Sequence, residues 1–301
     1  MPWPVLVLGA SGIVGQGVVR AALEAGYPVI AVDHDAVGLS RLQQAHDASN
    51  LVVIEGSVAS DRDSAALGEA LRRLKRPLAG VVDAVSGGTI RGRLLDQPTN
   101  ALCQQLESSL LPHLSAARQL LPLLADAKRG GTYVVIGGPG SALPWSGYGH
   151  LSVAAAGLRM LVHVLHDESR ALDVRVQLLS VDLPVCSGRP RSSDCPQWPT
   201  ALSIGERAMA LIQRSTGVSG PIVPHGAHQH PSSPSVAGVP SAEQWVTRTL
   251  QRLREVPAAV APPDPDSAGL EQPRAYASSA RAAASNESLP LLLLRNEVAP
   301  R

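Results

Sequence analysis

The chain has 301 residues, of which 45% are hydrophobic and 17% charged, a composition typical of a soluble globular protein with one large domain or two small ones. Its 26 basic and 25 acidic side chains give a net charge of +1, so charge gives no reason to expect nucleic acid or an acidic membrane as a partner. Three cysteines without a C-x-x-C pair, no signal-peptide pattern and no apolar run of membrane-spanning length lead us to expect a cytoplasmic protein.

Short apolar runs alternate with longer helical patterns up to residue 226. The apolar runs are continuous in Val, Leu and Ile, as in buried strands; in chain order they are PVLVLG, PVIAVD, LVVIEG, LAGVVDAV, GTYVVIGG, VRVQLLSV and GPIVPHG. The helical patterns are GIVGQGVVRAALEAG, DAVGLSRLQQAH, SAALGEALRRLK, NALCQQLESSLLPHLSAARQLLPLLADA, SVAAAGLRMLVHVLHDESRA and IGERAMALIQRS. This alternation predicts a doubly wound α/β domain over residues 1–226, with a parallel sheet covered on both faces.

The composition changes after Gly226. Residues 227–256 are predicted to form a Pro-rich linker and a short helix, SAEQWVTRTLQRLREV, and residues 257–301 a largely disordered tail rich in Pro, Ala and Ser. The run LPLLLLR at 289–295 is either a docking segment or an unstructured apolar patch. His225, His228 and His230 lack a companion Cys or carboxylate, which favours a linker over a metal site.

The glycine-rich stretch VLVLGASGIVGQGVV carries the clearest functional signal. Gly9, Gly12 and Gly15 follow a predicted strand in the spacing G-x-x-G-x-x-G as a helix begins. A pyrophosphate needs such a turn, because the backbone must approach it without Cβ atoms and offer free N–H groups at the helix terminus. Ser11 and Ile13 lie in the same turn and complete the predicted phosphate-binding set.

Asp33 closes the second predicted strand, 24 positions after Gly9. A carboxylate at this position accepts hydrogen bonds from both hydroxyls of the adenosine ribose and repels a 2′-phosphate, which favours NAD over NADP. The alternative interpretation is that Asp33 only caps the next helix.

In these motifs the chain resembles the short-chain dehydrogenase/reductase family over roughly residues 4–226. The resemblance implies a Rossmann-type fold, a nicotinamide dinucleotide cofactor and a carbonyl or alcohol substrate. It also implies that Ser57 and Val58 flank the adenine, and that Ala84, Val85 and Ser86 lie beside the cofactor ribose. The glycine spacing matches the extended and atypical branches of the family better than the commonest one.

The family's catalytic positions are only partly kept. The resemblance implies a tyrosine acid/base, a lysine four residues later, a serine after the fifth strand and an asparagine in the central helix. Tyr148 matches the tyrosine, whereas Ser152 takes the place of the lysine beside the cofactor, Gly138 that of the serine and Ser109 that of the asparagine. A tyrosine with an ordinary pKa near 10 exchanges protons poorly at neutral pH, and the family's lysine corrects this. Pro112 is expected to break the central helix, because its missing N–H frees the Ser108 carbonyl.

Three functions remain open from the sequence. The first is an NAD(P)-dependent oxidoreductase with weak or altered catalysis, in which His113 could supply the missing charge if it reaches the cleft. The second is a non-catalytic NAD(P)-binding sensor or assembly protein, and the third is a lyase or isomerase on the same scaffold. The substrate pocket is expected within residues 182–205, the part least like the family.

Two long helices are apolar on more than one face, which exceeds what contact with one sheet requires. The leucines concerned are Leu102, Leu106, Leu110, Leu114 and Leu121 on the first helix and Leu158, Leu161 and Leu165 on the second. Burial under the C-terminal tail is one explanation. The family resemblance implies instead a homodimer or homotetramer built on these helices.

Overall fold

The computed structural model describes residues 2–46, 49–127, 130–186, 198–215 and 217–226. In these ranges seven parallel strands form one sheet. The strands are β1 (Val5–Leu8), β2 (Val29–Asp33), β3 (Leu51–Glu55), β4 (Gly80–Asp83), β5 (Thr132–Gly137), β6 (Arg175–Ser180) and β7 (Ile222–Pro224). All seven predicted strands are present, and most of their residues are buried, as expected for the continuous apolar runs that form them.

The predicted helices of the domain are also present. They are α1 (Ile13–Glu24), α2 (Ala36–Ala45), α3 (Asp61–Arg73), α4 (Thr99–Ser109), α5 (Leu111–Ala125), α6 (Gly149–Glu168) and α7 (Ala201–Ile212). The long central pattern is divided at Leu110 into α4 and α5, close to Pro112, as the sequence predicts. Short 3-10 turns lie at Leu94–Asp96 and Ser169–Leu172.

The strand order is β3-β2-β1-β4-β5-β6-β7, which confirms the doubly wound α/β fold. The chain runs outward from β1 to β3, then returns to the other side of β1 with β4. The direction of winding therefore changes between β1 and β4. In open α/β sheets, a crevice forms outside the carboxyl ends of the strands at such a point.

Apolar side chains fill both faces of the sheet. On one face α1, α2 and α7 contribute residues such as Val18, Leu39 and Ile204 to one buried cluster. On the other face α3, α5 and α6 contribute a second cluster. Helices α1 and α7 cross at backbone contact: a Cβ placed on Gly205 would lie 2.4 Å from the carbonyl oxygen of Gly17, so this crossing requires glycine.

Of the eight leucines that the sequence analysis singled out on the long helices, three are buried in the domain itself. Leu121, Leu158 and Leu165 are at most 8% exposed and belong to the core of their own chain. The other five remain half-buried or exposed. The outer faces of α5 and α6 instead expose other apolar side chains, namely Leu111, Val153, Met160 and Val164, together with the predicted Leu114.

Several predictions fall on residues outside the described ranges: the linker and short helix at 227–256, the tail at 257–301, and His228 and His230 of the histidine group. The proposed domain boundaries therefore stay predictions. Among the described helices, none is both long and apolar enough to cross a membrane.

Candidate functional site

A cleft of about 400 Å³ opens at the carboxyl ends of β1 to β4, where the direction of winding changes. Nine of the predicted cofactor-binding residues line this cleft, namely Gly9, Ser11, Gly12, Asp33, Ser57, Val58, Ala84, Val85 and Ser86. Ile13 and Gly15 lie in the first turns of α1 without lining the cleft. Tyr148 and Ser152 also lie outside its lining.

The turn from β1 into α1 leaves no room for side chains. Gly9 has a φ of +67°, and a Cβ on it would lie 2.6 Å from the carbonyl oxygen of Ala84. A Cβ on Gly15 would lie 2.0 Å from the Gly9 carbonyl oxygen, so Gly15 allows the helix to start against the turn. The N-terminus of α1 therefore faces the cleft at backbone distance. These features fit the pyrophosphate of a dinucleotide, which binds to free N–H groups at a helix start.

Asp33 forms the wall of the cleft at the end of β2 and is 7% exposed. Its Oδ2 accepts hydrogen bonds from the Ser11 amide at 2.9 Å and the Ser11 hydroxyl at 2.7 Å, and its Oδ1 accepts one from the Asp35 amide at 3.1 Å. Burial acts to raise the pKa of the Asp33 carboxyl, but the hydrogen bonds from Ser11 and Asp35 and the nearby His34 outweigh it, so the pKa is lowered. The cleft wall therefore carries a negative charge at neutral pH.

The loop after β4 contributes residues that the sequence analysis missed. Gly87 and Gly88 line the cleft beside Ser86, and Glu107, Ser108 and Pro112 line it from the junction of α4 and α5. A Cβ on Gly87 would lie 2.5 Å from the Ser108 carbonyl oxygen, so the loop touches the end of α4 directly. The pair of glycines following a predicted strand was the signal available for this contact.

Tyr148 is the N-cap residue of α6 and is half-buried. Its ring stacks on the Trp145 indole, with centroids 4.3 Å apart and planes inclined by 22°. The guanidinium of Arg91 lies 5.7 Å from the centroid of the same ring. The retained tyrosine thus contacts both an aromatic side chain and a cation that the sequence analysis did not single out.

The hydroxyl of Ser152 is engaged in the loop that precedes α6. It accepts a hydrogen bond from the Trp145 amide at 2.9 Å and donates one to the Tyr148 carbonyl oxygen at 3.0 Å. Ser152 therefore orders the Trp145–Tyr148 turn. Gly138, at the family's serine position, has no atom within 4 Å of where its Cβ would lie, so this end of β5 has room for a side chain and lacks one.

His113 does not reach the cleft, so the hypothesis that it supplies the missing charge is wrong. It is 3% exposed, and its Nδ1 lies 2.8 Å from Oδ2 of Asp83, which is fully buried at the end of β4. The Tyr133 hydroxyl donates to the same Oδ2 at 2.9 Å. Burial and the Asp83 charge raise the pKa of Tyr133, so this tyrosine stays protonated and remains a donor. The sequence predicted that His113 lies on a helix, but it did not indicate that the side chain is buried.

Two further polar residues near α6 are buried. His150 is 1% exposed and Ser141 is 8% exposed, and neither the His150 Nδ1 nor the Ser141 hydroxyl has a partner in the described part of the chain. His150, in the first turn of α6, is thus buried within the protein. A smaller cleft of about 220 Å³ lies at the ends of β6 and β7 and includes Asp182 and His225.

Replacing His113 by phenylalanine should lower the free energy of unfolding by about 3–5 kcal/mol, because it leaves the Asp83 carboxylate buried with one partner fewer. Adding Asp83→Asn to that variant should recover part of the loss, since an amide brings no buried charge. Chemical denaturation of the single and double variants measures both effects. A loss below about 1 kcal/mol for His113→Phe would mean that the pair contributes no more than an exposed ion pair.

A family model described as short chain dehydrogenase matches residues 4–182. None of the curated proteins matches the chain. The fold is similar to that of a short-chain oxidoreductase from Pseudomonas aeruginosa that contains an atypical catalytic center, with 20% identity, a TM-score of 0.66, and coverage of 76% of this chain and 98% of that one. A structure from the same organism with NADPH bound has 21% identity and a TM-score of 0.65, covering 76% and 97%.

An oxidoreductase of the short-chain dehydrogenase/reductase family from Burkholderia thailandensis is similar as well, with 22% identity, a TM-score of 0.61, and coverage of 74% of this chain and 91% of that one. These identities support the likeness of fold, whereas the family model matches more than half of the 301 residues directly. The protein therefore belongs to the short-chain dehydrogenase/reductase family of NAD(P)-binding oxidoreductases.

Proposed function

We propose that the protein is an NAD(P)-dependent oxidoreductase that interconverts a carbonyl group and an alcohol on a small molecule, with slow turnover on ordinary substrates. The cleft supports this proposal, because it is lined by the Gly9 turn, the start of α1 and the Asp33 carboxylate, which are features typical of dinucleotide sites. Tyr148 is the group that would handle the proton.

Different residues would bind different parts of the cofactor. The turn at Gly9, Ser11 and Gly12 would bind the pyrophosphate, Asp33 the adenosine ribose, and Ser57 and Val58 the adenine. When bound, a nicotinamide dinucleotide supplies or accepts the hydride. Tyr148 would give its phenolic proton to the carbonyl oxygen of the substrate, or take one from the hydroxyl in the reverse direction.

The proton relay is incomplete, which is why we propose slow turnover. Gly138 offers no hydroxyl to polarise a carbonyl, and the Ser152 hydroxyl is engaged with the Trp145 amide and the Tyr148 carbonyl. Ser152 also supplies no charge. The same observations favour a second candidate, a dinucleotide-binding protein without turnover, and an assay for hydride transfer separates the two.

NADH is expected to bind more tightly than NADPH by about tenfold or more, because a 2′-phosphate would meet the ionised Asp33 and two like charges about 4 Å apart repel by roughly 1 kcal/mol or more. The Pseudomonas aeruginosa neighbour binds NADPH, but it shares only 21% of its residues with this chain. Calorimetric titration with both cofactors measures the preference. Since the pKa of Asp33 is lowered, the preference should persist from pH 8 down to pH 5, roughly one unit above an ordinary aspartate pKa.

The charge of Asp33 can be tested separately from its shape. Asp33→Asn keeps an acceptor for Ser11 and should narrow the difference in affinity between NADH and NADPH. Asp35 is an exposed neighbour outside the cleft lining, so Asp35→Asn should leave this difference unchanged. Equal affinities in the unaltered protein, or an equal effect of both substitutions, would contradict the proposed role of Asp33.

Gly138→Ser should raise the rate of hydride transfer by about tenfold or more, because one well-placed donor to a carbonyl oxygen is typically worth about 10²–10³ in rate. The added Cβ meets no atom within 4 Å, so the substitution fits without rearrangement. Gly220→Ser, equally unhindered but before β7 and so at the amino ends of the strands, away from the cleft, serves as the control. Ser152→Lys should gain less, since it also removes the hydroxyl that orders the Trp145 turn.

The assay follows NADH oxidation with a panel of aldehydes and ketones. A rate gain in Gly138→Ser that Tyr148→Phe abolishes supports the proposed proton transfer. Fast turnover of the unaltered protein that survives Tyr148→Phe would show that another group handles the proton.

We also propose a homodimer or homotetramer formed through the outer faces of α5 and α6, where Leu114, Met160 and Val164 are 38%, 63% and 45% exposed. Met160→Glu combined with Val164→Glu should convert the assembly to monomers in sedimentation velocity at micromolar concentration, because a charge buried in an interface is costly. Val37→Glu, on the exposed side of α2, should not. A monomer in the unaltered protein would contradict this proposal.

A further inference from the structure

Arg91 lies in a loop that is anchored on both sides of it. Before Arg91, the fully buried Gln105 donates from Nε2 to the Gly88 carbonyl oxygen at 2.8 Å and accepts at Oε1 from the Ile90 amide at 3.0 Å. After it, Gly92 pairs with Tyr148 in a parallel bridge, and the Gly92 amide donates to the Gly147 carbonyl oxygen at 2.9 Å. The backbone of Arg91 is therefore fixed between the cofactor cleft and Tyr148.

The guanidinium of Arg91 lies beside the ring of Tyr148, 5.7 Å from its centroid. The aromatic ring attracts the cation and limits the positions it occupies, and Trp145 in turn stacks on the ring. A guanidinium resting against an aromatic face still presents its N–H groups along its edge. The N–H groups of Arg91 are thus available as donors beside the side chain of Tyr148.

No hydrogen bond or ion pair involves the Arg91 side chain in the part of the chain that the structure describes. The neighbouring Arg93 differs, because it lies 3.9 Å from the Asp96 carboxylate. An unpaired arginine on a free surface needs no explanation. The backbone of Arg91, in contrast, is held by the buried Gln105 and by the Gly92–Tyr148 bridge. Arg91 follows Gly88 of the cleft lining by three residues, and its charge is left without a partner at the proposed reaction site.

We propose that the substrate of this site carries an anionic group, and that Arg91 binds that group beside Tyr148. This inference rests on the proposed function for the site at which the substrate reacts. The planar fork of a guanidinium matches the oxygens of a carboxylate or a phosphate, and charge-assisted bonds of this kind are about twice as strong as neutral ones. Arg91 thereby orients the substrate so that its carbonyl oxygen faces the hydroxyl of Tyr148.

The test compares substrates that differ in one charge. The probes are 4-oxopentanoate and its methyl ester for a carboxylate, and dihydroxyacetone phosphate and dihydroxyacetone for a phosphate. Each is assayed with the cofactor in the unaltered protein and in Arg91→Met, which keeps an unbranched apolar stem and removes the charge. Arg93→Met, two residues further along the same loop, is the matched control.

We expect Arg91→Met to lower kcat/KM for the preferred anionic probe by about 10- to 100-fold, mainly through KM, as the loss of a hydrogen bond to a charged group predicts. The uncharged counterpart should change by less than about threefold, and Arg93→Met should change neither probe. Whichever probe shows the larger loss of kcat/KM, the carboxylate or the phosphate, identifies the anionic group of the substrate. An equal loss on the charged and the uncharged probe would overturn the inference, because it would show that Arg91 acts on Tyr148 instead of the substrate.

Failure of the proposed function is recognised separately. If the unaltered protein transfers no hydride to any probe, the proposed function fails, and binding of the same anions is measured by calorimetry with the protein saturated with NAD. Binding that weakens about tenfold or more in Arg91→Met still supports an anion site at Arg91. The inference is overturned if the anions do not bind, or if they bind equally well to Arg91→Met and to the unaltered protein. It is also overturned if the protein turns over the probes but its preference for charged probes does not depend on Arg91; in that case the proposed function still stands.

Discussion

The approach of the first turn of the chain to the end of β4 is the constraint on which the site depends. Gly9 turns with a φ of +67°, and its Cα lies so close to the Ala84 carbonyl that a Cβ would be 2.6 Å from that oxygen. Any side chain at Gly9 would push β1 and β4 apart at the point where the direction of winding changes. Cofactor cleft, start of α1 and the loop after β4 are all positioned by this one contact.

The loop after β4 is then fixed in successive steps toward Tyr148. Asp83, buried under Tyr133 and His113, accepts a hydrogen bond at Oδ1 from the Val85 amide at 3.2 Å. Further along, Gln105 holds Gly88 and Ile90, and Gly92 pairs with Tyr148. A buried polar network of this kind is costly unless every member is paired, so these bonds restrict the loop to one path. These bonds thereby connect the cleft lining with Tyr148 at the start of α6.

The sequence predicted the elements well because each rests on a local pattern. Continuous runs of Val, Leu and Ile predicted all seven strands, and the glycine spacing with Asp33 predicted the turn and the wall of the cleft. The burial of individual side chains was less predictable. His113 and Leu158 share helices with exposed neighbours, and periodicity assigns a face without saying what lies against it. Arg91 carried no local signal at all, because its position depends on Gln105 and Tyr148, which are distant in sequence.

A cation in the loop after β4 differs physically from a lysine within α6. A lysine one turn after the tyrosine would lie on the same helix, partly shielded from water, where its charge acts strongly on a neighbouring phenol. Arg91 is exposed, and the high dielectric constant of the surrounding water weakens the field of an exposed cation even at short distances. Its effect through space on Tyr148 is therefore weak, while its N–H groups remain free to make direct, short bonds. An arginine in this position is better suited to hold an anionic substrate against the tyrosine than to activate the tyrosine itself.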